Sequence, residues 1–253
     1  LSRAALLFAA MDLPLTRLID RYRMHIRGVI HIGGHVGQET ADYARAGIAR
    51  QIWIEAHPET YSRLIAALPR SEAVRTFNVA CGTAPGRAAM HILSGNGGAS
   101  NSMLEAKLHL ERWPQFQPAG TVEVEVTRLD DLMAEHGLEG YNLLVLDIQG
   151  FELQALRGSE RALAQADYVI SEVSAVELYK GGCLVGEVDE FLRARGFERV
   201  ETKWAAGCSG DALYARPRAI GAAARLRLAV LGGRRRNPPR RGSEVRVAGE
   251  AKR

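Results

Sequence analysis

Close to its start the chain passes twice through a short apolar run, a turn signal and a helical pattern, and then enters a third apolar run. No other feature limits the fold as much. Residues 29–33 (VIHIG) are apolar and β-rich and run into glycines, as a buried strand entering a tight turn does. Residues 38–46 carry a helical pattern that stops at Gly47, a residue suited to the left-handed position after a helix. Residues 51–55 (QIWIE) read as the next strand, and Pro58 opens a helix through 68, as proline does in a first turn. Residues 74–80 then read as a third strand. Strand–helix steps this short predict a parallel sheet with right-handed crossovers and helices on both faces.

Further along, 87–93 and 122–127 are strand-like, separated by a Gly/Ser/Asn-rich stretch at 94–102 and a helix ending at Trp113. Residues 129–136 read as a helix with Asp130 and Asp131 as first-turn charges, and 142–147 as a strongly apolar strand. Gly150 turns the chain into a helix through 156. A strand at 168–173 and a helix at 185–195, stopped by Gly196, come next, and 197–202 with 212–215 form a closing hairpin. The domain is therefore expected at 27–217. Before it, residues 1–26 suggest an amphipathic helical extension packed on the domain rather than a signal peptide. After it, 218–253 forms a basic tail, expected to be disordered from about residue 232.

The 253 residues suit one domain with a substantial core, 47% of them being hydrophobic. The net charge of +4 would by itself suggest an anionic partner, but Arg225, Arg227, Arg234, Arg235, Arg236, Arg240, Arg241, Arg246, Lys252 and Arg253 concentrate it in the tail. No nucleic-acid partner is therefore expected, and anionic membrane contact is a minor idea confined to the tail. Cys81, Cys183 and Cys208 are odd in number and widely spaced, which favours neither a disulfide framework nor a zinc site and fits a reducing cytoplasm. No apolar run reaches the roughly 18 residues needed to span a bilayer.

Residues with chemistry gather at the strand ends. The first turn, IHIGGHVGQE, holds Gly33, Gly34 and Gly37, followed by Gln38. Its spacing is not the G-x-G-x-x-G that seats a pyrophosphate on a helix, which weakens a nicotinamide-dependent oxidoreductase reading. A phosphate-free nucleoside such as S-adenosylmethionine tolerates a looser turn. Glu55 ends the second strand, where a carboxylate can accept from both hydroxyls of a ribose. Ala80, expected to end the third strand, leaves room for an adenine ring. Asp147 ends the fourth strand, with Gly150 and Glu152 just beyond it, and Ser171 and Glu172 lie on the fifth. Gly33, Glu55, Asp147 and Glu172 thus share the carboxyl rim of the sheet, where open α/β folds bind ligands.

The run DIQGFELQALRG from Asp147 resembles the D-[VI]-[EQ]-G-x-E-x-x-x-L-x-G signature of the FkbM family of methyltransferases. IHIGGHVGQE and WIEAHP resemble a branch of that family reading IHIGAHxGxE and WIEANP. The similarity extends through NSML, TRLDDL, SEVS, FLRARGF and DALY, over roughly residues 29–216. The resemblance implies a Rossmann-like, mostly parallel seven-stranded sheet with a reversed C-terminal hairpin. It also implies S-adenosylmethionine as methyl donor and O-methylation of sugar or polyketide hydroxyls. Many members carry Asp where this chain has His31.

On this reading Gly33, Gly34, Gly37, Gln38, Glu55, Ala80 and Asp147 hold the donor, while Asp147, Glu172 and His35 are the candidate catalytic groups. His31 is taken as a structural histidine, and His57 with Pro58 as a helix-start device. No metal-ligand set is recognised. The acceptor is expected to be a small molecule or glycan with a free hydroxyl, received by 94–120 and the N-terminal helix. The competing reading is a non-catalytic donor-binding or docking module in a glycan or natural-product biosynthetic complex.

Overall fold

The computed structural model describes residues 13–205 and 208–231. Its first half runs α1 (Leu15–Tyr22), β1 (Val29–Ile32), α2 (Thr40–Arg45), β2 (Gln51–Ile54), α3 (Pro58–Ala67), β3 (Val74–Phe77), β4 (Ala80–Cys81), β5 (Gly86–Leu93), α4 (Leu108–Arg112) and β6 (Pro118–Thr127). The second half runs α5 (Leu129–His136), β7 (Leu143–Leu146), α6 (Glu152–Arg157), α7 (Glu160–Gln165), β8 (Tyr168–Ser174), α8 (Val185–Arg193), β9 (Glu198–Ala205), β10 (Ser209–Ala215) and α9 (Ala222–Leu231).

β1, β2 and β7 are buried at every position, as strands covered on both faces must be. The main sheet has the order β3-β2-β1-β7-β8-β10-β9. β3, β2, β1, β7 and β8 pair in parallel, while β10 runs antiparallel to both β8 and β9. This is the Rossmann-like methyltransferase arrangement with its reversed final hairpin.

Side-chain alternation divides the strands between two cores. Val29, Trp53, Leu143, Val145 and Ile170 pack with Leu15 and Leu18 of α1, Tyr43 of α2 and Leu64 of α3. Ile30, Ile32, Ile52, Ile54, Leu144, Leu146 and Val169 face the other way, onto Leu129 and Met133 of α5, Leu156 of α6, Leu163 of α7 and Leu192 of α8. Helices therefore cover both faces, as the βαβ pattern requires.

The third strand departs from expectation. It ends at Phe77, and Ala80 does not belong to it. The side-chain amide of Asn78 donates to the carbonyls of Glu55 and Ala56 (2.8 and 3.0 Å), which turns the chain out of the ladder. Ala80–Cys81 then pairs with β6 in a separate three-stranded sheet, β4-β6-β5. A second difference is α7, which the sequence reading passed over. Its N-terminal amides at Arg161 and Ala162 are capped by the carboxylate of Asp130 on α5 (2.9–3.1 Å), about thirty residues away. Asp130 is thus a first-turn charge of one helix and a cap for another. His57 does start α3, its Nδ1 accepting from the amide of Thr60.

The helix expected near the N-terminus is observed at Leu15–Tyr22, and residues 1–12 lie outside the described residues. Past β10 the chain stays against the domain: Ile220 is buried in the core with Leu15 and Leu18, and the amide of Gly221 donates to the carbonyl of Tyr22 at 2.9 Å. The segment expected to be disordered, from 232 onward, also lies outside the described residues. Among the described residues no helix is long and apolar enough to cross a membrane.

His31 is held as a core residue. It is 2% exposed, its ring stacks on Trp53 at 4.7 Å, and Tyr43 Oη lies 2.9 Å from its Nδ1. Burial pushes its pKa down to about 3, so the ring is neutral and accepts the tyrosine proton. Because the folded value lies below the unfolded one, this contribution to stability is full above pH 6.5 and is lost as pH falls towards 3. Tyr43→Phe leaves a buried ring nitrogen without its donor and should cost about 1–3 kcal/mol, measured by urea unfolding at pH 7.5.

Candidate active site

The strand order reverses at the β1–β7 pair, and the crevice above that point is where the functional residues meet. Gly33 leaves β1 with φ +89°, and a Cβ there would lie 2.0 Å from the carbonyl oxygen of Asp147. Only a residue without a side chain lets the two turns come this close. The amides of Gly33 and Gly34 both donate to the carbonyl of Ile54 (2.8 and 2.9 Å). Side chains at Gly34 and Gly37 would press on Trp53, Leu64 and Thr40, at 3.0–3.2 Å. The glycines of this turn are thus required by the chain's own packing. Gln38 closes the turn, its Oε1 accepting from the amide of Val36 at 3.2 Å and lying 3.3 Å from His35 Nδ1.

Glu55 joins the first two turns. One carboxylate oxygen accepts from the amide of His35 (2.9 Å) and the other from that of His57 (2.8 Å). Burial outweighs both bonds and pushes its pKa up to about 7. Ala80 lies beside this exit, in an apolar cluster with Met90 and Val124 against which Ala56 packs.

The third turn holds the densest chemistry. Asp147, Gln149, Gly150 and Glu152 follow β7, and Glu172 comes up from β8 beside them. Gln149 has φ +57° and His35 φ +44°, left-handed conformations rare for such residues and typical of functional turns. The Gln149 amide nitrogen donates to Asp147 Oδ1 at 2.7 Å and to Glu172 Oε2 at 3.0 Å. One amide thus holds the two carboxyls side by side, Asp147 exposed and Glu172 half-buried. Desolvation raises the pKa of both. For Glu172 the neighbouring charges of Asp147, Glu152 and Asp211 add to the rise and carry it well above the ordinary carboxylate value, so of the two it holds a proton more readily. The Glu152 carboxylate accepts from the amides of Ile148 and Gly150 (3.0 and 3.2 Å), yet burial still pushes its pKa up to about 7.

A glycine-rich strap crosses between the outer turns. The carbonyl of Gly97 lies 3.0 Å from His35 Nε2 and accepts from Arg63 of α3 at 3.1 Å. Farther along, Ser102 Oγ donates to the carbonyl of Gln149 at 2.8 Å, and Tyr179 Oη lies 3.2 Å from the carbonyl of Ser100. Of the residues singled out from sequence, His35, Gln38 and Glu55 are brought together on one side, and Asp147 and Glu172 on the other. Gln149, Tyr179 and Ser102 were not singled out. Gln149 lies inside the DIQGFE motif, whereas Tyr179 and Ser102 meet it only through the fold. Among the described residues, no group of three or more His, Cys, Asp and Glu is arranged to hold a metal ion.

The sequence matches the model of the methyltransferase FkbM domain over residues 31–199, which spans all four strand ends described above. The chain belongs to the FkbM family. Family members are S-adenosylmethionine-dependent methyltransferases, and this chain is accordingly a methyltransferase with that donor. It is 28% identical over 191 residues to the 2-O-methyltransferase NoeI of Sinorhizobium fredii, covering 73% of this chain and 77% of NoeI. Among solved structures it is similar to the N-methyltransferase NodS of Bradyrhizobium japonicum (TM-score 0.45, 12% identity, 79% of this chain and 93% of NodS). It is also similar to the magnesium protoporphyrin IX methyltransferase of Synechocystis (TM-score 0.43, 12% identity, 75% and 71%).

The FkbM donor suits the electrostatics of this site. Glu55 and Glu152 are buried, Glu172 is half-buried and Asp147 is exposed at the lip of the crevice, yet the surrounding protein desolvates each carboxyl enough to raise its pKa, and no lysine or arginine among the described residues offsets that rise. A sulfonium ion is a compact cation that such a rim favours, and a ribose diol matches a carboxylate at a strand end.

The same shifts set a pH dependence of stability. Glu55 has a folded pKa above its unfolded value of 4.5, so its contribution is full below pH 4.5 and is lost as pH rises through about 7. In thermal melts of the ligand-free protein, Glu55→Gln should therefore gain stability relative to wild type between pH 5 and pH 8. A difference that stays flat with pH would show that the Glu55 carboxyl is not desolvated.

Proposed function

We propose that the chain is an O-methyltransferase acting on a hydroxyl of a sugar, glycan or polyketide-type acceptor, with Asp147 as general base. The observation that carries this reading is the Asp147–Glu172 pair, Asp147 exposed just past β7 and Glu172 half-buried near the end of β8, both held by one amide from Gln149. The similarity to a protein named 2-O-methyltransferase supports oxygen as the receiving atom.

S-adenosylmethionine, when bound, supplies a methyl group on a positively charged sulfur, open to in-line displacement. An alcohol is a weak nucleophile at neutral pH, so the chain must align it and take its proton. Asp147 is suited to this: it is exposed, where an acceptor can reach it, its partner Glu172 holds a proton more readily, which leaves Asp147 ionised, and partial desolvation raises its basicity. Glu172 and His35 are the alternative bases at the same rim. Glu55 and Ala80 would receive the ribose and adenine, and the turn from Gly33 through Gly34 and Gly37 to Gln38 would border the methionine moiety. The strap at 94–102 would exclude water and help wall the acceptor.

Asp147→Asn keeps the shape of the side chain and removes the base. In methyl-transfer assays over a panel of sugar and polyketide alcohols it should lower kcat by about 10²–10⁴-fold. Affinity for S-adenosylhomocysteine, measured by calorimetry, should be nearly unchanged. The wild-type rate should rise with pH as Asp147 loses its proton while Glu172 keeps its own, and should persist in EDTA. Full activity of Asp147→Asn would remove the base assignment, and loss in EDTA with recovery in magnesium would call for a metal-assisted route.

A further inference from the structure

Tyr179 lies in the segment between β8 and α8, is 3% exposed, and is absent from the family signature quoted above. Its hydroxyl donates to Gln149 Oε1 at 2.9 Å, with the carbonyl of Ser100 at 3.2 Å as a second acceptor. The opposite end of the same amide donates to Asp147 and Glu172. Backbone contacts keep the two segments in register: Cys183 N donates to the carbonyl of Gly150 at 3.0 Å, and Gly182 Cα would be 3.4 Å from a Cβ on Gly150.

An amide side chain can present either its oxygen or its nitrogen to a neighbour. Facing an ionised Asp147, the nitrogen is the favourable end, and the oxygen then points away into the protein, where it needs a donor. Tyr179 is that donor. Without it the buried oxygen is left unpaired, and the amide relieves this by turning over to accept the proton of Glu172. Asp147 then loses its donor.

We propose that Tyr179 is a positioning residue for methyl transfer, its hydroxyl fixing the Gln149 amide so that the nitrogen spans Asp147 and Glu172 and keeps Asp147 ionised. The inference rests on Asp147 being the base, but its physical content, the link from Tyr179 to the protonation of Asp147, stands independently of any acceptor. The charged groups facing the pair come from every neighbouring element: His35 from the first turn, Glu55 from the end of β2, Glu152 from α6 and Asp211 from β10, which acts on Glu172. None of them hydrogen-bonds to the Tyr179 hydroxyl, so removing it takes away its contacts with Gln149 and the Ser100 carbonyl and changes no charge.

The test is a carbon-13 NMR titration of the full chain, ligand-free, labelled at the side-chain carboxyls of Asp and Glu, with the Asp147 signal assigned by its loss in Asp147→Asn. In Tyr179→Phe the Asp147 midpoint should rise by about one to two pH units, the scale of one hydrogen bond to a charged group. Gln149→Met should raise it at least as far. In the double variant the midpoint should move no further than in Gln149→Met, because Tyr179 acts only through that amide. An unchanged midpoint in Tyr179→Phe, or additive shifts in the double variant, overturns the proposal. If Tyr179→Phe does not melt cooperatively, Gln149→Met alone decides, and an unmoved Asp147 midpoint there is equally fatal. Because no acceptor or donor is present, failure to methylate any alcohol would count against the proposed function and leave this result untouched.

Discussion

A backbone carbonyl, that of Asp147, occupies the place where a side chain on residue 33 would begin. This contact depends on the sheet changing direction at β1 and β7, so that the chain leaves neighbouring parallel strands at one height and on one edge. The first turn carries His35, which Glu55 holds through its amide, and the third carries Gln149, which spans Asp147 and Glu172. Were residue 33 to need more room, the two turns would separate and the carboxylates of the two halves would no longer share one crevice. The spacing of the acidic rim is therefore set by the absence of a side chain.

That rim is costly. Carboxyl groups removed from water disfavour their charged form, and here the charge of Asp147 raises Glu55, Glu152 and Glu172 further. The fold offsets the penalty with backbone donors: His35 and His57 on Glu55, Ile148 and Gly150 on Glu152. These turn amides are fixed dipoles that need no reorganisation, and they satisfy acids without neutralising them. The remaining negative potential would favour a cation at this rim. The ligand-free domain thus carries strain at this rim, as preorganised sites commonly do.

Much of this was readable from the chain alone, for physical reasons. Buried parallel strands such as VIHI, QIWI and LLVL are short and apolar throughout, and the glycines that follow mark their ends. The rim residues come one per strand end, so finding the strands found Gly33, Glu55, Asp147 and Glu172 as well. Ala80 was misplaced because the break after Phe77 is made by the side chain of Asn78, and no propensity signals where an amide will reach. α7 was missed because its cap, Asp130, belongs to another helix. Tyr179 and Ser102 escaped for the same kind of reason: each acts on Gln149 from a segment tens of residues away, across contacts that exist only once the loops have docked. Local chemistry is written in local sequence, whereas support from a distant segment is not.

The three thiols have a practical consequence. Cys81, Cys183 and Cys208 are unpaired and buried, and burial pushes each away from the thiolate, Cys81 up to about 12. Alkylating reagents attack thiolates, so the folded domain should be nearly silent towards maleimides. A single cysteine introduced on the exposed side of the strap, for instance at Ser94, would then be the dominant reactive position without prior removal of the native ones. Fluorophores or spin labels placed there would report the movement of that loop against the sheet in an otherwise unaltered background.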